Sequence, residues 1–529
     1  MLSTTGVVAL TVATLVGFTA VGIWHTHGQS QTVEDLVTAR NSTGRGRLSA
    51  TLIASVMGVW ILFSAPEAGA SFAIAAVVGY GIGEAAPMLA YSKIGPRLRA
   101  VVPNGHSLTE YAHARYGDAM YAFVLLVSML YMFIFLAAEL TGIASALALV
   151  ADVPQSQSAI LVGGFVLLYT GYGGLRASIF TDTLQALLVL PLLVVALAGA
   201  VITLGGAGAI HADVLATAPS LLDPGFGAGL QFGLALAFAI LGAELINQTW
   251  WQRIYAGKDD ETVERSFETA TLANGAIVFL AALFGIVAVG QADIVTDTAN
   301  AGYNADVAFF VLLEAAFPDA VVIGVVLVAL LLVISSVDTL FNALSSVVTV
   351  DLPRLLADPD DRTLRLGSRA LTGVVAVAAI YVSLRAQSVL RLFFFADLLG
   401  AAVAFPLVYG LYSRWLTGVG ALGSSVVGLA VGLAFFPDFR GVITGIPIVG
   451  GALPASDPLY LTSFGGAFLV STGVALLAAR LSSTEHDLDD LSREVGRLAE
   501  TAPDGGTTGC GARSHSVGDA DADREEVSE

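Results

Sequence analysis

The chain is 529 residues long, 56% hydrophobic and only 13% charged, with a net charge of −19, whereas a soluble domain is nearer half apolar and a quarter charged. These figures argue against a soluble globular protein and leave no basic face for nucleic acid. The single cysteine, Cys510, excludes a disulfide framework and a cysteine-built metal site.

Mean hydropathy is +0.79, and apolar runs long enough to cross a bilayer as helices recur from end to end. The expected fold is therefore all-α and polytopic. Thirteen transmembrane helices are predicted near 4–24, 48–67, 70–92, 119–149, 157–173, 179–204, 229–248, 272–292, 320–346, 369–384, 389–411, 418–436 and 460–480. The first is kept as a span because it lacks a positive leader and a small-residue cleavage site before "WHTHGQSQ". With the N-terminus outside and the C-terminus cytoplasmic, 21 of the 24 Lys and Arg residues fall on the inner side, as basic loops require. The polar, acidic segment 482–529 reads as a cytoplasmic tail, largely disordered beyond one brief helix. Only Lys93 and Lys258 are lysines, and an acidic, lysine-poor chain suits a high-salt cytoplasm.

Polar residues inside the spans carry the functional signal. The second span, "ATLIASVMGVWILFSAPEAGASF", is interrupted by Pro66, Glu67 and Gly69, and the seventh, "AILGAELINQTWW", is interrupted more loosely. Breaks of this kind free backbone carbonyls, which persist at membrane depth only where protein, water or a ligand meets them. Glu67, Glu84, Glu139, Asp182, Glu244, Asp338 and Asp397 lie within spans or at their ends, with no basic residue at the same depth apart from Arg391. Such acids bind cations or carry protons; Glu84 and Asp397 are the two expected at solvated interfaces. The ninth span, "VLVALLLVISSVDTLFNALSSVVTVDL", places Ser335, Asp338 and Thr339 on one helical face. At ~1.5 Å per residue, Ala54, Asp182 and Ser335 all fall roughly 8–10 Å from the inner surface. Carbonyls, hydroxyls and a carboxylate at one level form an all-oxygen site suited to sodium.

Four motifs then resemble one family. "YTGYGGLRASIFTDTLQALL" is similar to the signature of the sodium:solute symporter family, and "ISSVDTLFNALSSVVTVDL" to its sodium-site helix. "SVMGVWILFSAPEAG" resembles the first core helix of the proline-transporter branch, with Val56 where that branch has an aspartate, and "TWWQRIYAGKD" resembles the segment after the sixth core helix. "RAVVPNGHSLTEYAHARYG" resembles an inner-loop run of the urea and polyamine branch. The resemblance covers residues 1–481 and implies a LeuT-like core of two inverted five-helix repeats, about 47–205 and 229–411. It implies a sodium site at the carbonyls of Ala54, Met57 and Leu332 and the hydroxyls of Ser335 and Ser336. It also implies a second cation or proton position at Asp182, Asp338 and Thr339.

Trp60, Ser64, Glu67, Glu139, Glu244 and Asn247 are the substrate-pocket candidates, an acidic set suited to urea, a polyol or a cationic amine. The expected function is sodium-coupled symport of a small organic solute across the plasma membrane. Two alternatives stand: proton coupling through Asp182 and Asp338, and a transporter-like membrane sensor. No nucleophile motif, phosphate loop or metal spacing points to an enzyme, and no organic cofactor is expected. The histidines, His106 included, read as solvated loop and tail residues.

Overall fold

A computed structural model describes residues 3–26, 37–355, 361–386, 388–454 and 459–496. Among them the regular structure is helical, with one isolated bridge between Thr43 and Gly257. In chain order the helices are α1 (Thr4–Thr26), α2 (Arg45–Val56), a 3-10 turn (Val59–Leu62), α3 (Ser64–Val101), α4 (Leu108–Tyr116), α5 (Asp118–Ala151), α6 (Gln155–Thr203) and α7 (Ala207–Thr217). There follow α8 (Gly227–Leu245), α9 (Gln248–Ala256), α10 (Asp260–Gln291), α11 (Ala308–Ala316), α12 (Asp319–Leu355), α13 (Asp361–Ser383) and α14 (Val389–Tyr409). The remainder are α15 (Gly418–Phe435), α16 (Pro437–Thr444), α17 (Pro447–Ala452), α18 (Leu459–Leu481) and α19 (Leu491–Glu494).

The all-α, multi-pass prediction holds, but the count of thirteen does not transfer helix for helix. Nine helices among the described residues are long and apolar enough to cross a membrane, or ten with the bent pair Val194–Thr203 and Ala207–Thr217. Three features account for the gap. The second predicted span is split, leaving α2 only 12 residues long. The helical pattern of α6 runs 49 residues through Arg176, a contour of about 73 Å that is more than twice a crossing and holds two predicted spans. The apolar part of α13 is short, Gly373–Ser383.

α3 likewise contains two arms. Ser64 Oγ lies 2.9 Å from Tyr80 Oη although the residues are sixteen apart, about 24 Å along a straight helix. The fold-back is at Ala73, whose φ of 70° is left-handed. An alanine there is strained and is held by the packing around it.

With lipid outside, hydrophobicity alone does not join helices, and small residues permit close backbone approach. α3, α8 and α10 meet through glycines. A Cβ on Gly79 would lie 2.3 Å from Gly233 Cα, and one on Gly285 only 1.8 Å from the Pro66 carbonyl oxygen. Gly285→Ala should therefore push α10 off the broken segment of α3 at a cost of about 1–3 kcal/mol. A lower thermal midpoint of the purified protein, with Gly324→Ala (open space) unchanged, is the check.

The start of the predicted tail, with its brief helix, docks on the helical core. His486 donates its amide to Arg414 O at 2.8 Å, and Leu488, Leu491 and Val495 are buried. This docked stretch closes one side of a polar cavity of about 440 Å³ lined also by Arg97, Tyr412 and Trp415. Residues 497–529 of the expected tail lie outside the described residues.

Candidate functional site: a broken helix and two carboxylate centres

The local backbone at the end of α2 follows from "SVMGVW". Met57 N donates to Ile53 O in the helical pattern, but Gly58 N turns to Val56 O and Ile61 N to Gly58 O. The carbonyls of Ala54 and Met57 thus lose their helical donors, Gly58 and Ile61. Trp60 Nε1 donates to Val56 O at 2.9 Å. On the far side of the gap the Val59 amide donates to Glu139 Oε2 at 2.9 Å, and the Trp60 amide faces the same carboxylate. Glu139 therefore meets the amides that the break exposes, while its Oε1, fully buried, has no partner among the described residues. Gly58 makes this approach possible, since a Cβ there would fall 1.9 Å from Glu139 Oε1.

Beside the break, α12 brings Ser335 and Ser336. Ser336 Oγ donates to Leu332 O at 3.1 Å, and Ser335 Oγ donates to Asp182 Oδ1 at 2.6 Å. Thr51 and Ser55 of α2 donate to Asp182 Oδ2 at 2.6 and 3.2 Å. The depth argument thus placed α2, Asp182 and Ser335 correctly at one level.

The expectation that the membrane acids lack basic partners fails at Asp182. Arg253 Nη2 stands 3.1 Å from Asp182 Oδ2, and both side chains are 0% exposed. The guanidinium also donates to Thr51 Oγ1 (3.1 Å), Ser55 Oγ (2.6 Å), Thr339 Oγ1 (3.1 Å) and Thr249 O (3.3 Å). Arg253 belongs to "TWWQRIYA", which on sequence sits in an inner loop; α9 folds back and buries it. A fixed cation therefore meets Asp182 and Thr339, two of the three residues assigned to a second mobile cation. Asp338, the third, accepts from Asn342 Nδ2 at 3.2 Å.

The pocket candidates separate into three places. Trp60, Ser64 and Glu139 gather at the break, where Ser64 Oγ donates to Trp60 O at 3.0 Å. Glu67 faces elsewhere, accepting from Ser388 Oγ at 2.8 Å and from the Tyr303 hydroxyl. Outside the spans next to it, burial pushes the Asp306 carboxyl up to about 6. Glu244 sits where α8 stops, accepting from Tyr131 Oη at 2.6 Å, Asn247 Nδ2 at 3.1 Å and Trp250 Nε1. Asn247 also caps α9 through Thr249 N at 3.0 Å. Its amide is thus spoken for structurally. Glu84 and Asp397, expected at solvated interfaces, are instead buried, because their helix faces point to α8 rather than outward.

The run around His106 was also misjudged as solvated. His106 is fully buried, with Nδ1 3.0 Å from Glu110 Oε2. Gln248 accepts from Leu108 N at 2.7 Å and donates to His106 O and to Ser346 Oγ, while Thr109 Oγ1 donates to Asp351 Oδ2 at 2.6 Å. α4 therefore ties α9 to α12. Arg115, which donates to Gly410 O and Ser413 O, extends the tie to the end of α14. Sequence reasoning missed Arg253, Thr51, Ser55, Tyr131 and Ser388; only their polarity inside or beside apolar spans marked them.

Comparison with known proteins agrees with this architecture. The model of the sodium:solute symporter family matches residues 37–428. A spermidine transporter of Candida albicans is 26% identical over 456 residues, covering 83% of this chain and 84% of its own. The sodium/pantothenate symporter of Escherichia coli is 30% identical over 122 residues, 23% of this chain and 25% of its own. Among solved structures, a Na+-coupled sialic acid symporter in a substrate-bound outward-open state superposes with a TM-score of 0.71 at 16% identity, covering 90% of this chain and 98% of that one. Mhp1, a nucleobase-cation-symport-1 family transporter in a closed conformation, gives 0.56 at 14% identity, covering 87% and 98%. The interrupted α2 and α8, packed within one helical core, are thus the discontinuous helices of a LeuT-like transporter, and the chain belongs to the sodium:solute symporter family, whose members carry solutes across membranes rather than transform them.

Proposed function

We propose that this protein is a sodium-coupled symporter of a small organic solute, working by alternating access in the plasma membrane with its N-terminus outside. The observation that carries the reading is the pair of carbonyls, Ala54 and Met57, stripped of their helical donors beside Ser335 and Ser336. Carbonyls and hydroxyls without a net charge of their own suit a hard monovalent cation. The Leu332 carbonyl completes the proposed set. Asp182 orients Ser335, and its charge is already met by Arg253, so the proposed cycle carries one sodium per solute. The two repeats, about 47–205 and 229–411, would rock about the breaks in α2 and α8. Sodium bound across α2 and α12 favours the solute-competent arrangement, which makes the two ligands cooperative. The spermidine and pantothenate relatives support an organic cargo.

The test is uptake of radiolabelled urea, proline, putrescine and glucose into proteoliposomes under an imposed sodium or proton gradient. Sodium should drive accumulation of at least one label. Ser335→Ala removes a hydroxyl bonded to a charged group, a loss of about 1.5–3 kcal/mol, so sodium activation should weaken about tenfold or more. Accumulation driven by protons alone would overturn sodium coupling.

A further inference from the structure

The class of solute follows from two layers of side chains next to the break, and the inference rests on the symport reading above. The first layer is aromatic. Trp60 stacks on Tyr80 with centroids 5.9 Å apart and meets Phe393 edge-on at 5.8 Å, while Phe135 meets Phe393 edge-on at 4.9 Å. One helical turn away on each helix stands a polar side chain: Glu84 after Tyr80 on α3, Asp397 after Phe393 on α14, and Tyr131 before Phe135 on α5. These lie on one side of the rings, because α5 begins, and α3 ends, where α14 ends: Tyr116 Oη donates to Pro406 O at 2.6 Å and Arg97 Nε to Leu411 O at 2.9 Å. Tyr131 donates to Glu244 at 2.6 Å, which brings a third carboxylate into the second layer.

Glu84, Glu244 and Asp397 are 5%, 7% and 6% exposed and stand on α3, α8 and α14, three helices that pack against one another. Glu244 has three donors. Glu84 and Asp397 accept no hydrogen bond from any described residue, and no basic side chain faces them. The contrast with Asp182 is direct, since there the chain supplies its own cation. Ser128, one turn from Tyr131 on the same face of α5, is 1% exposed and its hydroxyl also has no partner among the described residues. Buried carboxylates without donors take up a proton or a positive ligand. Among the described residues no three acidic or histidine side chains converge as the ligands of one metal ion. A cation with its charges spread along an alkyl chain does suit them, since ring faces attract alkylammonium groups.

We infer that Glu84, Glu244 and Asp397 seat the ammonium groups of an oligoamine solute, with the Trp60, Tyr80 and Phe393 rings against its alkyl chain. The test is binding of tritiated spermidine and of radioactive sodium to the full-length protein in lipid nanodiscs, for wild type, Glu84→Gln and Asp397→Asn. Wild type should bind both. Each variant keeps the side-chain shape, and each should bind spermidine at least about tenfold more weakly, as losing one partner of a desolvated charge pair requires, with sodium binding retained. Unchanged spermidine affinity in both variants overturns the inference. So does a wild type that binds sodium but no spermidine, which leaves sodium coupling standing. Loss of both ligands in both variants assigns the carboxylates to the fold and overturns it too. Spermidine binding without sodium binding overturns the coupling and leaves the seat intact.

Discussion

Replacing Arg253 with methionine should destabilise the protein more than any other single substitution considered, by about 3–5 kcal/mol. The change leaves the Asp182 carboxylate at 0% exposure without its only described cation, and Thr51, Ser55 and Thr339 lose a shared donor. The size of the effect comes from the orphaned charge rather than from the value of the pair, which water would have solvated almost as well. The companion variant decides this. Asp182→Asn together with Arg253→Met removes both charges and should recover a large part of the loss, giving a favourable coupling in a double-mutant cycle. The measurement is thermal unfolding in detergent for the wild type, both single variants and the double variant. Additive effects would mean that the two residues act independently, against the geometry.

Gly58→Ala should abolish uptake while leaving the backbone conformation allowed. The φ of −85° at Gly58 is open to any residue, so the effect is steric. The new methyl would need the space of Glu139 Oε1, 1.9 Å away, and would also crowd the Trp60 ring at 2.6 Å. Glu139 is fully buried and cannot swing into water. It would leave the Val59 amide, and the turn carrying Met57 and Trp60 would shift with it. Overpacking of this kind costs about 1–3 kcal/mol, enough to perturb both the carbonyls proposed for sodium and the aromatic layer. Sodium-driven uptake and thermal midpoint measured together provide the check: a large loss of uptake with a modest loss of stability is expected. Full uptake would show that the contact between Gly58 and Glu139 has no part in transport.

The spans were legible because a helix in lipid must be apolar over a fixed length, and the break in α2 because Pro66 and Gly69 announce trouble nearby, although the hydrogen bonds actually fail around Gly58. The level of Asp182 and Ser335 was legible from helical rise alone. Arg253 was not, because counting basic residues by loop treats every arginine beyond the end of a span as solvated. A nine-residue helix such as α9, buried along its whole length, breaks that assumption. His106 was misplaced for the same reason. Glu84 and Asp397 show another limit: hydropathy gives depth along a helix but not the direction a side chain takes around it, and burial between α3, α8 and α14 is a matter of direction.

The guanidinium that satisfies Asp182 is a positive charge that stays behind when the carrier turns over. In the proposed cycle only one ion then falls through the membrane field. One elementary charge crossing about 100 mV releases about 2.3 kcal/mol, which supports roughly a fiftyfold solute gradient, before the sodium concentration ratio is added. A second travelling ion would square that electrical factor. A cargo that brings its own ammonium charges is drawn inward by the same field, so the concentrating power withheld by Arg253 is restored by the solute itself.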